Sequence, residues 1–212
     1  MTKLFDFRKE YTLDNLAENE VTENPIRQFN QWMHQAIAAG FPEPNAMTLA
    51  TATLDGKPSV RVVLLKEVND DGFVFFTNYL SRKGRELLAN PFAAVVFDWH
   101  EMERQVRIEG RVEKLSAEDS DTYFNARPET SKIGAWASPQ SKIINSRQEL
   151  DEMWLQTEQK LLGKPVHRPL HWGGFLVRPT VVEFWQGRPN RLHDRLAYYK
   201  TEEGWTLHRL AP

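Results

Sequence analysis

Two basic side chains follow a serine at a predicted strand-to-helix junction, in the run Ser81-Arg82-Lys83-Gly84. The first backbone N–H groups of a helix have no partner within the helix, and they favour an anion. Two cations beside them indicate a phosphate-binding site. The alternative interpretation is a helix-capping serine with exposed basic neighbours.

Tyr123, Arg127 and Ser131 form a second cluster on or just after a predicted helix. The first two are four residues apart, which puts them on one helix face. A planar guanidinium flanked by hydroxyl groups is suited to binding a small phosphate ester. The alternative is an ordinary surface helix end.

Arg61 and Lys66 bracket the apolar run RVVLLK. Five positions apart, they point to opposite faces of a regular strand unless a bulge or the strand end intervenes. Charges in this arrangement are usually solvated strand ends, so the spacing alone leaves a binding role open.

The segment 185–195, WQGRPNRLHDR, is dense in functional side chains. Arg191, His193 and Arg195 alternate, so they share one face if the segment is a strand. Three such groups repel one another unless an anion or an electron-rich ring lies against them. Trp185 supplies a ring that can stack on a planar ligand.

Composition excludes several classes of protein. The chain has 212 residues, 27 Lys+Arg against 29 Asp+Glu, 41% hydrophobic residues and no cysteine. It therefore has enough apolar residues for a folded core, and it has no disulfide, thiolate nucleophile or cysteine-held metal. Its apolar runs are shorter than the ~20 residues of a membrane helix, which predicts a soluble, cytoplasmic protein. The net charge of -2 argues against a dedicated nucleic-acid binder.

The histidines form no recognisable metal site. His167 and His171 are four residues apart, but Pro169 lies between them and no zinc-protease pattern follows. We therefore predict that the protein has no metal.

Periodicity and turn signals predict a mainly β protein with peripheral helices, an α+β arrangement. The polar residues 1–24 resemble an arm outside the core, and residues 25–212 are predicted to form one domain. An antiparallel sheet closed on itself, a β-barrel, is the simplest arrangement of the strands. The predicted helices begin at Pro25 and cover 82–89, 117–126 and the region after Ser146, and the predicted strands are 46–54, 58–65, 73–77, 92–99, 104–114, 173–178, 180–186, 192–199 and 205–210.

Taken together, the motifs resemble those of the pyridoxine/pyridoxamine 5′-phosphate oxidase family. The resemblance extends from residues 8–11 to 209–212, and the motifs follow one another in the family's order. The pieces that carry it are RVVLLK (61–66), FFTNYLSRKGRELLANP (75–91), ERQVRIEGRVEKLS (103–116), YFNARPETSKIGAWASPQS (123–141), HWGGF (171–175) and VEFWQGRPNRLHDR (182–195).

The resemblance implies an FMN-binding split barrel that forms a homodimer, with active sites at the subunit interface and C-terminal strands that contribute to dimerisation. The implied reaction oxidises pyridoxamine or pyridoxine 5′-phosphate to pyridoxal 5′-phosphate. FMN accepts the hydride, O2 reoxidises the flavin, and hydrogen peroxide is released, together with ammonia from the amine. No protein side chain accepts a hydride, so such a chemistry needs a redox cofactor.

Matched residue by residue, the resemblance assigns two overlapping sets of contacts. The implied FMN contacts are Arg61, Val62, Val63, Leu64, Leu65, Lys66, Phe76, Thr77, Arg82, Lys83, Gln105, Gln140, Ser141, Trp185 and Arg195. The implied substrate contacts are Arg8, Lys9, Glu10, Tyr11, Lys66, Tyr123, Arg127, Ser131, Arg191, Leu192 and His193.

Within these sets, the resemblance makes Arg191 and His193 the catalytic residues, on either side of the pyridine ring. The N-terminal arm is implied to close over the site as a lid. Many relatives carry tyrosine where this chain has Phe76. This departure keeps an aromatic surface and removes a hydroxyl contact.

Two other functions use the same basic clusters. A flavin or nicotinamide-dependent reductase shares the fold, but it has no reason to keep Tyr123, Arg127, Ser131, Arg191 and His193 together. A binding module for flavin, vitamin B6 phosphate or RNA is the second alternative. Strong weakening of binding by salt without flavin colour is typical of RNA binding.

Overall fold

A computed structural model describes Leu4 and residues 9–212 of the chain. Strands predominate, with helices at the periphery, which confirms the predicted fold class. The strands are β1 (Ala46–Ala52), β2 (Pro58–Leu64), β3 (Glu67–Asn69), β4 (Gly72–Asn78), β5 (Phe92–Trp99), β6 (Arg104–Lys114), β7 (Trp172–Gln186), β8 (Asp194–Lys200) and β9 (Trp205–Arg209). The helices are α1 (Pro25–Ala38), α2 (Arg82–Ala89), α3 (Ala117–Ala126), α4 (Glu129–Ala137) and α5 (Arg147–Leu161).

All nine strands belong to one antiparallel sheet. The order is β2-β1-β5-β6-β7-β4-β3, and β8 pairs with both β7 and β9. One antiparallel sheet was predicted. The described strand order ends at β2 and β3 without a ladder between them, so the curled sheet is open along this seam, which agrees with the predicted split barrel.

Strand β7 is the longest strand and contacts three others. On one side, the whole of β6 pairs with residues 175–186 of β7. On the other side, β4 pairs with the first half of β7 and β8 pairs with the second half. Two separate strands, 173–178 and 180–186, were predicted here, one on each side of Pro179. In the structure Pro179 lies opposite Gly110, next to a bulge at which Thr180 of β7 has no partner on β6.

Helix α1 covers one end of the core. Asn24 accepts the backbone N–H of Ile26 at 2.8 Å, which caps the helix as its sequence predicts. The Phe29 ring packs edge-on against Phe73 and Phe97, at centroid distances of 4.9 and 4.8 Å. These aromatic contacts hold α1 against the sheet.

Helix α4 was missed by the sequence analysis. Pro128 was interpreted as the residue after a helix, and in the structure it also caps the start of α4. Arg127, between the two helices, has extended φ and ψ angles of -73° and 151°. The four-residue spacing had predicted that Arg127 and Tyr123 share one helix face. They do not, because Arg127 lies beyond the end of α3.

The segment before α1 is tied to the rest of the fold. Leu16 is 4% exposed and belongs to the hydrophobic core, contrary to the prediction that residues 1–24 lie outside it. Its backbone N–H donates to Asp194, and Arg209 binds Glu18 through two nitrogens at 2.7 and 2.8 Å. Arg209 of β9 and Asp194 of β8 thus hold this segment in place. Within the described residues, no helix is long and apolar enough to cross a bilayer.

We predict that Leu16→Ala lowers the free energy of unfolding by about 2–4 kcal/mol, because the substitution leaves a cavity in the core. The measurement is urea denaturation followed by circular dichroism. Leu13 is 60% exposed, so Leu13→Ala is the matched control and should change stability by less than about 0.5 kcal/mol. Equal effects of the two substitutions would contradict the placement of Leu16 in the core.

Candidate functional site

The first cavity, cavity A, has a volume of about 510 Å³ and lies among β2, β4, α3 and α4. This size is typical of sites for cofactors and small molecules. All of its lining residues except Pro128 and Trp172 were predicted to bind FMN or substrate. The lining consists of Val62, Val63, Leu64, Lys66, Phe76, Thr77, Lys83, Tyr123, Arg127, Pro128, Ser131, Gln140 and Trp172.

Strand β2 ends at Leu64, which explains why Lys66 also reaches cavity A. The five-residue spacing from Arg61 places the two side chains on opposite faces only within a regular strand. Lys66 lies beyond the strand end and lines the cavity, while Arg61 turns toward Leu49 and Thr51 of β1.

A lysine on α2 forms part of the polar lining. The Nζ of Lys83 donates to Thr77 Oγ1 at 3.3 Å and to Gln140 Oε1 at 3.1 Å. Burial, and next the positive charge of Arg61, lower the pKa of Lys83. A desolvated cation near a second cation favours a negatively charged ligand.

Arg127 is the most exceptional group in cavity A. Its Nη1 is buried and has no hydrogen-bond partner among the residues that the structure describes. The guanidinium carbon lies 4.5 Å from the centroid of the Trp172 ring, and burial lowers the pKa of Arg127. Leaving a buried donor unpaired costs about 1–3 kcal/mol. The arrangement therefore favours an anion that accepts from this nitrogen.

A stack of three aromatic rings fixes α3 against the sheet. The Phe76 ring lies 3.9 Å from Tyr123, with an angle of 17° between the planes, and 5.5 Å from Trp172. The stack holds Tyr123 of α3 against β4, and Arg127 follows at the end of the same helix. Tyr123, Arg127 and Ser131 consequently line one cavity, as predicted.

Arg61 and Arg82 lie beside cavity A and bind a common carboxylate. Glu86 is 3.5 Å from Arg61 Nη2 and 2.8 Å from Arg82 Nε. The sequence analysis missed Glu86, although its four-residue spacing from Arg82 is typical of a helical ion pair. The rest of its surroundings come from β1 and β2, which the spacing could not predict.

The second cavity, cavity B, has a volume of about 660 Å³ and lies where β7 ends. Residues of the N-terminal segment form one wall, and the turn after β7 forms the other. The lining consists of Lys9, Glu10, Tyr11, Trp185, Arg188, Asn190, Arg191 and His193. Gln105 lines an adjoining cavity, which shares Tyr11 and Trp185 with cavity B.

The predicted alternation of Arg191, His193 and Arg195 on one strand face is wrong. Residues 189–191 form a 3-10 turn, and β8 begins only at Asp194. Arg191 has a φ of 62°, a left-handed conformation that is unusual for a side chain larger than glycine. Such local strain is common at functional sites.

Arg195, a predicted FMN contact, forms an ion pair with Glu183. Its Nε and Nη2 donate to the two carboxylate oxygens of Glu183 at 2.8 and 3.1 Å, and its Nη1 donates to the backbone oxygen of Ala211. Residues 183 and 195 are brought together by the ladder between β7 and β8. The sequence analysis gave no role to Glu183.

A hydrogen bond from a backbone N–H group orients the ring of His193. The N–H of Arg188 donates to His193 Nδ1 at 3.1 Å, so the neutral ring carries its proton on Nε2. Burial, and next the charge of Arg191, lower the pKa of His193. The rings of Tyr11 and Trp185 lie 5.6 and 4.6 Å from it. The geometry presents a neutral imidazole with a proton on Nε2.

Glu103 attaches the N-terminal segment to cavity B. Its side chain is 1% exposed, binds Lys9 at 3.1 Å and accepts the backbone N–H groups of Thr12 and Leu13. A Cβ at Gly187 would come within 2.8 Å of Tyr11, so glycine is required for this close approach. Arg8, a predicted substrate contact, lies outside the described residues.

Three further predicted contacts, besides Arg61, Arg82, Gln105 and Arg195, line neither cavity. Leu65 is 6% exposed and packs in the core, and Leu192 is 69% exposed. Ser141 follows Gln140 in an exposed turn, with a φ of 68°. Their predicted roles remain predictions.

The two cavities have no lining residue in common. Phe76 in cavity A pairs with Gly174, and Trp185 in cavity B lies eleven residues further along β7. At ~3.3 Å per residue, the path along the strand is about 36 Å. This path is far longer than a single-ring phosphate ester.

Most of the chain matches the models of one family. The family description "Pyridoxamine 5′-phosphate oxidase" matches residues 33–158, and "Pyridoxine 5′-phosphate oxidase C-terminal dimerisation region" matches residues 172–212. The chain belongs to the pyridoxamine 5′-phosphate oxidase family.

Two relatives named pyridoxine/pyridoxamine 5′-phosphate oxidase agree over almost the entire length. The protein from Trichormus variabilis is 57% identical over 98% of this chain and 97% of its own. The protein from Thermosynechococcus vestitus is 57% identical over the full length of both chains. The resemblance inferred from the motifs is confirmed.

Solved structures agree with this assignment. The structure of PhzG from Burkholderia lata, in complex with tetrahydrophenazine-1-carboxylic acid, has a TM-score of 0.88 and 32% identity, covering 94% of this chain and 99% of that one. A pyridoxamine 5′-phosphate oxidase-related, FMN binding protein from Nostoc punctiforme has a TM-score of 0.68 and 15% identity, covering 87% and 97%. The second likeness concerns the fold alone.

We predict that the pKa of His193 lies below its ordinary value of 6.5 and that Arg191→Ala raises it, because the substitution removes a neighbouring positive charge. NMR titration of the histidine Cε1 protons measures both values, with His193→Gln to assign the resonance. Arg188→Ala is the matched control, since that side chain is paired with Asp194 and should leave the value unchanged. A wild-type pKa at or above 6.5 would refute the prediction.

Proposed function

We propose that this chain oxidises pyridoxamine 5′-phosphate and pyridoxine 5′-phosphate to pyridoxal 5′-phosphate, with FMN as hydride acceptor and O2 as final electron acceptor. Hydrogen peroxide is the second product, and the amine substrate also yields ammonia. The observation that carries the substrate assignment is the buried Nη1 of Arg127, which has no hydrogen-bond partner within the described part of the chain. It lies in a cavity also lined by Tyr123, Ser131 and Lys66. These groups are the partners that a phosphate ester needs.

The residues around cavity A fit FMN. Arg61, Arg82 and Lys83 supply cations for its phosphate, and Thr77 and Gln140 supply hydroxyl and amide groups. The apolar side chains of Val62, Val63 and Leu64 line the cavity near these polar groups. When bound, FMN supplies the two-electron acceptor that protein side chains lack.

The residues of cavity B fit the reacting end of the substrate. Arg191 and His193 are placed by a strained turn and a backbone hydrogen bond, which fixes them before substrate arrives. Holding reacting groups in the correct orientation lowers a barrier by several kcal/mol. Tyr11 and Lys9 cover this cavity, so the N-terminal segment acts as its lid and excludes water.

A complete active site requires two copies of the chain. The phosphate-binding groups line cavity A, Arg191 and His193 line cavity B, and about 36 Å of strand separates them. The C-terminal dimerisation region covers β7, β8 and β9, which carry the wall of cavity B. A two-fold dimer places cavity A of one protomer against cavity B of its partner and so forms two equivalent sites.

We predict that a heterodimer with Arg127→Ala in one chain and Arg191→Ala in the other has about half of the wild-type activity. Two-fold symmetry places both substitutions in the same active site and leaves the second site unchanged. Two different affinity tags, used in sequence, purify the heterodimer. Peroxide release at a pyridoxamine 5′-phosphate concentration well below the wild-type KM measures the activity, so that both defects are detected.

The reciprocal arrangement is the control. A chain with both substitutions, paired with a wild-type chain, places one defect in each site and should be nearly inactive at substrate concentrations well below the KM. The reverse pattern, in which this second heterodimer keeps half of the activity and the first has none, would show that one chain supplies both residues to a site.

We predict that Arg127→Ala raises the KM for substrate about tenfold to a hundredfold, because a charge-assisted hydrogen bond contributes about 1.5–3 kcal/mol. Arg191→Ala should mainly lower kcat. Steady-state peroxide assays on the yellow, flavin-loaded protein separate the two effects. An unchanged KM in the first variant or full turnover in the second would refute this division of roles.

The same preparation tests the two alternative functions. A reductase would consume a reduced nicotinamide with added flavin and release no peroxide from vitamin B6 phosphates. A binding module would retain its ligand without turnover. A colourless protein that takes up no FMN would refute the proposed oxidase.

A further inference from the structure

Glu86 lies at the centre of a buried polar cluster beside cavity A. The residue is 6% exposed, although it is a carboxylate on a short surface helix. Its Oε2 accepts from Thr51 Oγ1 at 2.5 Å and from Ser59 Oγ at 2.6 Å. We call these residues, together with Arg61 and Arg82, the Glu86 cluster.

The two carboxylate oxygens hold different arginines. Oε1 accepts from Arg82 Nε at 2.8 Å, and Oε2 lies 3.5 Å from Arg61 Nη2. Arg61 also donates to Thr51 and Ser59 at 2.5 Å each, so the hydroxyl groups serve both the acid and the base. Each guanidinium is thereby fixed at a known position relative to α2.

The Glu86 cluster and the neighbouring Lys83 together have an excess of positive charge. Arg61, Arg82 and Lys83 are three cations, and Glu86 neutralises one of them. Burial and the positive charge of Arg82 lower the pKa of Arg61, whereas the Glu86 carboxylate raises it. The two guanidinium groups are therefore close enough to repel each other. Two uncompensated positive charges match a phosphate dianion.

Arg82 keeps donors for such a ligand. Within the described part of the chain, its hydrogen bonds use Nε alone, and its side chain is 57% exposed. The two Nη groups therefore remain at the start of α2, where backbone N–H groups also favour an anion. Oε1 of Glu86 determines which way this guanidinium fork faces.

We propose that Glu86 is a positioning residue for the FMN phosphate, which holds Arg61 and Arg82 in the orientation that the phosphate requires. The inference rests on the proposed function in so far as the chain binds FMN. Glu86 itself is an acid and repels the phosphate, so it contributes only through the two arginines.

The protonation state of Glu86 agrees with this role. Burial acts to raise its pKa, but hydrogen bonds from Ser59, Thr51 and Arg82 outweigh burial and lower the pKa to about 2. The group is therefore charged at neutral pH. A charged carboxylate with two hydroxyl donors and two arginines has little freedom to rotate.

The test is Glu86→Gln, because positioning and simple charge predict opposite results. The substitution removes a negative charge beside the phosphate site, so charge alone would tighten FMN binding. Loss of positioning should instead weaken FMN binding about tenfold, since an amide N–H group then faces the arginines. Quenching of flavin fluorescence, on the full chain freed of flavin, measures the dissociation constant.

Riboflavin distinguishes positioning from a general structural role. It lacks the phosphate, so its dissociation constant should change less than about twofold in Glu86→Gln. Tighter FMN binding, or equal weakening for FMN and riboflavin, would overturn the proposal. A wild-type chain that binds neither flavin would instead refute the proposed function.

Two further variants complete the experiment. Glu158 is exposed on α5, so Glu158→Gln gives the same charge change away from the cluster and should leave both dissociation constants unchanged. Ser59→Ala removes one hydroxyl that holds both Glu86 and Arg61. If Glu86→Gln does not fold, Ser59→Ala should still weaken FMN binding severalfold and spare riboflavin, and an equal loss of both would overturn the proposal.

Discussion

The ladder between β6 and β7 is the constraint on which the other parts of the structure depend. β7 extends over residues 172–186, and its backbone groups pair with β6 on one side and with β4 and β8 on the other. Unpaired backbone groups are costly in a buried strand, so the register of these ladders is strongly fixed. The same strand therefore determines where Phe76 of cavity A and Trp185 of cavity B lie.

Buried carboxylates orient the cations of this protein. Glu86 holds Arg61 and Arg82, Glu183 holds Arg195 and Arg107, and Glu103 holds Lys9 together with two backbone N–H groups. Burying a charge is unfavourable unless partners and hydrogen bonds compensate for it. Each of these carboxylates has such partners, and in each case a basic side chain near a cavity loses rotational freedom. The near-balance of acidic and basic residues in the composition is consistent with this pairing.

Much of the fold could be predicted because local signals were strong. Strands 92–99 and 104–114 and helices 82–89 and 117–126 were found with their exact bounds, since Asn90-Pro91 and capping serines mark their ends. The fused strand β7 could not be predicted, because the bulge beside Pro179, where Thr180 has no partner on β6, is defined only by the pairing of the two strands. The motifs indicated most residues of cavity A. The partner of Arg195 was missed because it comes from the pairing of β7 with β8, and most partners of Glu86 were missed because they come from the packing of α2 against β1 and β2.

The separation of the two cavities along β7 has a consequence for how the enzyme responds to dilution. In the proposed assembly, a dissociated chain retains the phosphate-binding groups of cavity A but lacks an opposing Arg191 and His193. When most chains are dissociated, the reaction rate therefore varies with the square of the protein concentration. Specific activity falls once that concentration drops below the dissociation constant of the dimer. The cell must then maintain a threshold amount of this protein, below which production of the aldehyde declines more steeply than the protein itself.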